Sequence, residues 1–339
     1  MTIQERIFAL IELGKHLRGK DEYLEAIMHR TYHHNKWFTL ESQQQAVQSI
    51  GRYFLDEQKI RQWADRYDIP ETTDPVRKVG LVMAGNIPLV GFHDVISVFL
   101  AGHKALIKLS DKDPYLLPYL LKLLDRIDER AGDYFELVEH LRGFDAVIAT
   151  GSNNSSRYFD YYFADIPSII RKNRNAVAVL SGEESEGELK ALGEDVFQYF
   201  GLGCRNVAKI YVPENYTFDP LLEALHEYRE IVLHNKYKNN FDYNLAIQVL
   251  NKVPYRSNGC IILLEKKEIQ SRVGEMYFEY YSDLGALEEE IERRKEEIQC
   301  VVSKEGLLSR PTLPFGKAQQ PELWDYPDGV DTVEFLLKI

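Results

Sequence analysis

Residues 78–114 read KVGLVMAGNIPLVGFHDVISVFLAGHKALIKLSDKDP, and three patterns within them decide the fold. The run "KVGLVM" is short and apolar and follows the Pro- and Thr-rich break "DIPETTDPVR", as a buried strand does. From about residue 90 to 101 the apolar residues fall at helical spacing, and 104–109, "KALIKL", is a second short strand. Strand, helix, strand in so few residues is a parallel pair with a right-handed crossover. The alternation continues with a helix over 114–130, a strand over 145–149, a helix over about 155–164 and a strand over 175–180. A parallel sheet of this kind binds nucleotides outside the carboxyl ends of its strands.

Working outward, residues 3–68 carry apolar residues at helical spacing and form a helical N-terminal layer. After residue 180 a second α/β lobe follows, with the helix "ELKALGEDVFQYF", the strand "KIYVP", the long helix "FDPLLEALHEYREIVLHNKY", the strand "CIILLE" and a charged helix feeding a strand. The ending, rich in Pro, Gly and Asp, reads as an ordered loop leading to a final strand, "DTVEFLLKI". The expected division is 1–75 helical, packed on a nucleotide-binding domain 76–180, then a catalytic domain 181–308 and a returning segment 309–339.

The net charge of −12 repels phosphate backbones and anionic membranes, so nucleic acid is not an expected partner. No run approaches a membrane span, and the first residues lack a signal-peptide core. Three cysteines without a CxxC pair argue against a disulfide framework and a cysteine zinc site, and fit the cytoplasm.

Cys204 stands in "FQYFGLGCRNVAKIYVP", residues 197–213. Gly201 and Gly203 let the backbone turn sharply, so the thiol belongs to a connection. Two readings stay open: packed filler, or a nucleophile whose thiolate a nearby cation favours, with Arg205 and Lys209 the local cations. Cys260 and Cys300 lie in apolar strand patterns and read as core. Asn86 follows the first strand just before Pro88, where its amide projects into a strand-end cleft or caps a helix. Lys108 ends the second strand beside Ser110 and Asp111, residues suited to hydroxyl binding or capping; a surface lysine is the plainer reading. Gly151 and Ser152 join a strand to a helix, where free amides meet phosphate oxygens or a serine merely caps. His33, His34 and His93 show no ligand spacing, so no metal is expected. The aromatic runs "RYFDYYF" and "EMYFEYY" read as core before pocket lining.

Taken in order, these pieces resemble the aldehyde dehydrogenase superfamily, and most closely its LuxC-like acyl-CoA reductases. The resemblance runs from "NKWFT" through "VMAGNIPLVGFHD", "GHKALIKLSDKDP", "ATGSNNSSRYFDYYF", "IIRKNRNAVAVL" and "GLGCRNV" to "LPFGKAQQPELWDYPDGVDT". It implies an α/β, aldehyde dehydrogenase-like fold: a Rossmann-type nucleotide-binding domain, a second α/β catalytic domain and the helical N-terminal layer. It implies that Cys204 is the catalytic cysteine and that Asn86, with the Cys204 backbone N–H, forms the oxyanion hole. Lys108 would reach the adenosine ribose with Ser110 and Asp111 beside it, and Gly151 with Ser152 would turn next to the dinucleotide phosphates.

Two departures from the superfamily matter. Its hydrolytic members carry a glutamate general base where this chain has Ile170, which stands 34 residues before Cys204, as the family spacing requires. Without a base to activate water, a thioester on Cys204 is left for hydride or coenzyme A. Secondly, "GSNNSS" lacks a later glycine found in many relatives.

The expected activity is therefore reduction of an acyl-CoA to an aldehyde with NADPH, although Asp111 would repel a 2′-phosphate and NADH is the second choice. Within the same chemistry the alternative is an acyl-phosphate reductase, and outside it a non-redox acyl carrier acylated on Cys204. A cysteine thioesterase is disfavoured, since the sequence shows no histidine paired with Cys204. Expected partners are the acyl-CoA, an aldehyde-consuming enzyme and further copies of the chain.

Overall fold

The computed structural model describes residues 1–151 and 153–339, apart from the side chains at 153 and 154. It divides into two units, Met1–Asn173 with Pro321–Ile339, and Arg174–Gln320.

In the first unit, helices Ile3–Arg18, Glu22–His34, Leu40–Ser49 and Glu57–Ala64 are each started by a side chain that accepts a first-turn amide, from Thr2, Asp21, Thr39 and Asp56 respectively. These caps satisfy amides that the helix itself cannot. The helices bury Leu10, Leu13, Leu17 and Trp63 in one core with Val95, Phe99, Leu120 and Leu124.

Behind them lies a parallel sheet of β1 (Lys78–Val82), β2 (Lys104–Lys108), β3 (Phe135–Leu137), β4 (Ala146–Thr150) and β5 (Ser168–Arg171), in the order β3-β2-β1-β4-β5. The crossover from β1 to β2 is the helix Phe92–Ala101, buried along its whole length and stopped by Gly102 in the left-handed conformation, φ 82°. The chain leaves β1 toward β2 and β3, then returns to the other side of β1 for β4 and β5. The order reverses at β1, and such a switch point opens a crevice at the carboxyl ends of the strands.

The C-terminal segment is held to this unit by polar contacts. His93 Nε2 meets the Leu323 carbonyl at 2.8 Å, His103 Nε2 meets the Leu336 carbonyl at 2.9 Å, and Tyr67 donates to Asp331 at 2.6 Å. The expected final strand is instead a helix, Thr332–Leu337. Asp331 accepts from the Glu334 amide and caps it, and Val333 and Leu336, three apart, bury on one side.

The second unit is built on β6 (Asn175–Val179), β7 (Val207–Pro213), β8 (Arg256–Ser257), β9 (Ile262–Glu265), β10 (Glu275–Tyr281) and β11 (Ile298–Ser303). Their order is β11-β6-β7-β10-β9-β8, parallel except for β8 against β9. The strand at 175–179, expected to close the nucleotide domain, is β6 and pairs with β7 and β11 in this unit. The long helix expected from residue 218 is broken into an α-helix, Asp219–Leu225, a 3₁₀ stretch, His226–Leu233, and a second α-helix, Asn235–Leu250. The break falls at His234, whose extended backbone (ψ 111°) lets its ring accept from the Tyr237 amide and cap the next helix.

Candidate active site

The described sequence candidates in the first unit lie at or just beyond the carboxyl ends of three adjacent strands, β1, β2 and β4. Past β1, Gly85 is buried, and a Cβ there would stand 2.3 Å from Ser110 Oγ and 3.0 Å from Lys112 Cβ. Only glycine lets the loop after β1 lie against the loop after β2. Asn86 is half-buried in that loop. Three residues later Leu89, buried, adopts φ 56°, a left-handed conformation that a leucine takes only when its surroundings impose it. Its amide donates to Asp113 Oδ2 at 2.9 Å.

Lys108, the last residue of β2, is exposed; in the loop beyond it Asp111 is exposed and Ser110 half-buried, with its Oγ accepting from the Lys112 amide at 3.3 Å. This loop is also held from the N-terminal helices. His34 Nε2 lies 2.6 Å from the Asp111 carbonyl, and Asn35 Nδ2 donates to the Lys112 carbonyl at 3.2 Å. Past β4, the Gly151 amide donates to the Arg171 carbonyl at 3.2 Å, and a Cβ on it would stand 2.8 Å from the Phe159 ring and 2.9 Å from Ser155. The following helix, Asn153–Tyr162, can therefore approach the strand end closely. Ser152 lies outside the described residues.

On β5, Ile170 is half-buried, and its neighbour Arg171 is committed to structure. Arg171 donates to both oxygens of Asp94, at 2.6 and 3.3 Å, to Thr332 Oγ1 at 2.9 Å and to the Pro327 carbonyl at 2.7 Å. A guanidinium so bonded has no role as a substitute base, and it fastens the C-terminal segment to the sheet.

In the second unit Cys204 is half-buried on an irregular turn between the 3₁₀ stretch Gln198–Gly201 and β7. The backbone before it is contorted: Tyr199, Phe200 and Gly201 have φ of 52°, 60° and 73°. Asn206, buried, holds this turn from inside. Its Oδ1 accepts from the Gly203 amide at 2.8 Å, and its Nδ2 donates to the carbonyls of Asp195 and Gln198, each at 2.9 Å, and of Val196 at 3.3 Å. A second buried residue, Asp195, ties the turn's approach to the segment "FGKA": its carboxylate accepts from the Gly316 amide at 2.7 Å and the Ala318 amide at 2.9 Å. Burial pushes this carboxyl up to about 6 against the pull of the two amides.

The two cations nearest in sequence are engaged elsewhere. Arg205 Nε donates to the Ala318 carbonyl. Lys209 is fully buried on β7, and its ammonium meets the carbonyls of Lys266 and Lys267 and the Glu279 carboxylate at 3.0, 2.8 and 2.6 Å. Burial lowers the Lys209 pKa, with Glu279 opposing. Sequence reasoning missed Asn206, Asp195 and Asp113, and it missed His234, whose ring packs 4.4 Å from that of Phe200, four residues before Cys204.

Of the other cysteines, Cys260 is buried and its thiol is pushed up to about 11 by burial, which keeps it protonated and inert. Cys300 is half-buried on β11, short of the core position its pattern suggested, because that strand is the sheet edge. The run "EMYFEYY" is β10, an inner strand that buries Met276, Tyr277 and Phe278. Among the described residues no cluster of three or more His, Cys, Asp or Glu side chains is arranged to hold a metal ion, and no helix is long and apolar enough to cross a membrane.

The family described as acyl-CoA reductase (LuxC) matches residues 15–164. No curated protein matches the sequence. Among solved structures, an oxidoreductase from Marinobacter aquaeolei superposes with a TM-score of 0.70 at 14% identity, over 95% of this chain and 79% of that one. Aldehyde dehydrogenase 21 from Physcomitrella patens, solved with its reaction product succinate, gives 0.69 at 13% identity, over 100% and 84%. An NAD+ complex of an aldehyde dehydrogenase from Bacillus cereus gives 0.64 at 14% identity, over 91% and 73%. Residues 15–164 thus carry the signature of the LuxC acyl-CoA reductase family, and the chain as a whole has an aldehyde dehydrogenase-like fold.

Proposed function

We infer that this protein is an acyl-CoA reductase that releases an aldehyde, working through a thioester on Cys204. The observation that carries the reading is the Cys204 turn: a half-buried thiol on an irregular connection whose backbone is locked by a buried asparagine. Structural cysteines are fully buried, as Cys260 is, whereas nucleophiles are presented at least partly accessible on turns fixed by a rigid scaffold. The LuxC match supports the acyl donor being a coenzyme A thioester.

In this reading the Cys204 thiolate attacks the thioester carbonyl, and the Asn86 amide and the Cys204 backbone N–H donate to the oxyanion. Coenzyme A leaves as its thiolate. The acyl group stays on Cys204, since Ile170 offers no base to activate water. A nicotinamide cofactor, when bound, would supply the hydride that reduces this thioester, and Cys204 would then leave as its thiolate from the tetrahedral oxyanion, freeing the aldehyde. Three features fit such a cofactor: the reversal of strand order at β1, the strand-end loops bearing Lys108, Ser110 and Asp111, and the close turn at Gly151. Lys108, with Ser110 and Asp111, would hold the adenosine ribose, and Gly151 and Ser152 would face the phosphates. NADPH is the cofactor we assign from the family. The exposed carboxylate of Asp111 favours NADH as a second reading, because it would repel a 2′-phosphate.

The test is oxidation of NADPH and of NADH, followed by absorbance, with acyl-CoAs from acetyl to long-chain and with acyl phosphates in parallel. Acyl-CoA-dependent oxidation that is lost in a folded Cys204→Ala variant is the expected result. Retained reduction in that variant overturns the assignment of Cys204. Turnover of acyl phosphate alone would move the reading to that donor, and acylation of Cys204 without any oxidation would make the protein an acyl carrier. Asn86→Ala should lower kcat by about a hundredfold, the typical cost of one oxyanion donor, with little change in KM.

A further inference from the structure

Asp113 sits in the loop after β2, buried, in a small pocket whose other lining is apolar and includes Met83, Leu89, Val90, Phe92, Leu109 and Leu117. One carboxylate oxygen accepts from the Leu89 amide at 2.9 Å. The other, Oδ1, is buried and makes no close hydrogen bond among the described residues; the Leu116 amide, at the start of the next helix, adds only a weaker pull on the carboxylate. Nature rarely leaves a buried carboxylate half-satisfied among apolar side chains, because each unpaired oxygen carries its full desolvation cost. Its one close hydrogen bond goes to the amide of the left-handed Leu89, three residues beyond Asn86. The same two loops are already wedged together where Gly85 meets Ser110. The Asn86 turn is therefore fixed at both ends to the β2 loop, by absence of a side chain at Gly85 and by a hydrogen bond at Leu89.

We propose that Asp113 is a positioning residue for the reaction: its ionised carboxylate holds the strained turn at Leu89 and thereby sets the direction of the Asn86 amide. The proposal rests on the assignment of Asn86 as an oxyanion donor. Because the hold depends on charge, it weakens when Asp113 takes up a proton. Burial raises this carboxyl to about 6, against the amides of Leu89 and Leu116. The charged groups on the elements packed around it are Lys108 at the end of β2, Asp111 and Lys112 of its own loop, all three exposed, His34 bonded to the Asp111 carbonyl, and His93 and Asp94, bonded to the Leu323 carbonyl and to Arg171. Helix Leu116–Ile127 adds Lys122, Asp125 and Arg126.

The test uses full-length protein and compares wild type with Asp113→Ala, Asp113→Asn and Asn86→Ala. Hydrogen exchange over residues 84–92 reads the turn directly, and steady-state kinetics from pH 5 to 8 reads its effect. The expected result is faster exchange at Leu89 in Asp113→Ala, with kcat down about tenfold and KM for the acyl-CoA unchanged, as for a donor displaced but not deleted. Asp113→Asn, which keeps an acceptor without the charge, should recover part of kcat and lose the acid limb near pH 6 that wild type shows. Unchanged exchange in Asp113→Ala overturns the proposal whatever the kinetics. So does unchanged kcat in Asp113→Ala when Asn86→Ala is impaired, an outcome that leaves the oxyanion assignment standing. If Asn86→Ala itself has full kcat, the oxyanion reading fails first and the reaction role of Asp113 falls with it.

Discussion

Replacing Asp195 by asparagine should flatten part of the protein's pH-stability curve, and the size of the effect follows from the geometry. The carboxyl is 1% exposed and accepts two main-chain amides, yet burial outweighs them and lifts its pKa from 3.8 to about 6. A folded-state pKa above the unfolded value means that the folded protein binds more protons between those two pH values. Its stability contribution is therefore full below about pH 4 and is lost as pH rises through 6. Over the whole range the loss is about 3 kcal/mol, from a difference of about 2.2 units. Between pH 5 and 7.5 the linkage relation leaves about 1.4 kcal/mol of it.

The assay is urea unfolding of wild type and Asp195→Asn, followed by circular dichroism at several pH values in that interval. Other titrating groups contribute equally to both proteins and cancel in the difference. Wild type minus variant should fall by about 1.4 kcal/mol from pH 5 to 7.5, the variant gaining relative ground at the alkaline end. Parallel curves, with the difference constant to within about 0.3 kcal/mol, would mean that burial does not dominate this carboxyl and would sink the reasoning.

Further expectations concern the same loops and their supports. Asn206→Ala removes a side chain that bonds the Gly203 amide and three carbonyls inside the second unit, so unfolding free energy should drop by about 3 kcal/mol, and a loss below about 1 kcal/mol in denaturant melts would refute its role as the internal clamp. Arg171→Met strands the buried Asp94 carboxylate and should cost about 3–5 kcal/mol, most of it recovered in the Arg171→Met/Asp94→Leu double variant; equal losses in the single and double variants would show that the charge was not the problem. Ile170→Glu should divert part of the product from aldehyde to acid, measured by chromatography of both, because a carboxylate at that position would activate water against the thioester. An unchanged product ratio would detach Ile170 from the chemistry.

The first crossover was legible because its signals are local. Glycine after a short apolar run, helical spacing, then a second apolar run mark β1, the buried helix and β2 within thirty residues or so, and these elements stand where the pattern puts them. Misreadings occurred where local and tertiary preferences part. "TVEFLL" has the β-branched and aromatic residues of a strand, yet Asp331 caps it into a helix. The run 218–237 keeps helical spacing across His234, whose own backbone breaks the helix. The strand Asn175–Val179 looks like one more repeat of the alternation, and nothing local says that its neighbours are β7 and β11.

The site divides along the same line. Cys204, Asn86 and Gly151 announce themselves by residue type at a turn, whereas the groups that hold those turns do not. Asp195 meets its partners 121 and 123 residues away, and Asp113 reaches back 24 to Leu89. An irregular connection cannot pair its own backbone groups, so a buried one must borrow a polar side chain from elsewhere. Asn206 and Asp195 do this around the Cys204 turn, and Asp113 does it behind Asn86. Buried asparagine and aspartate bonded to main-chain amides thus hold the turns that carry the candidate residues of this chain. That is also why their loss should register first in the geometry of the turn and only through it in turnover.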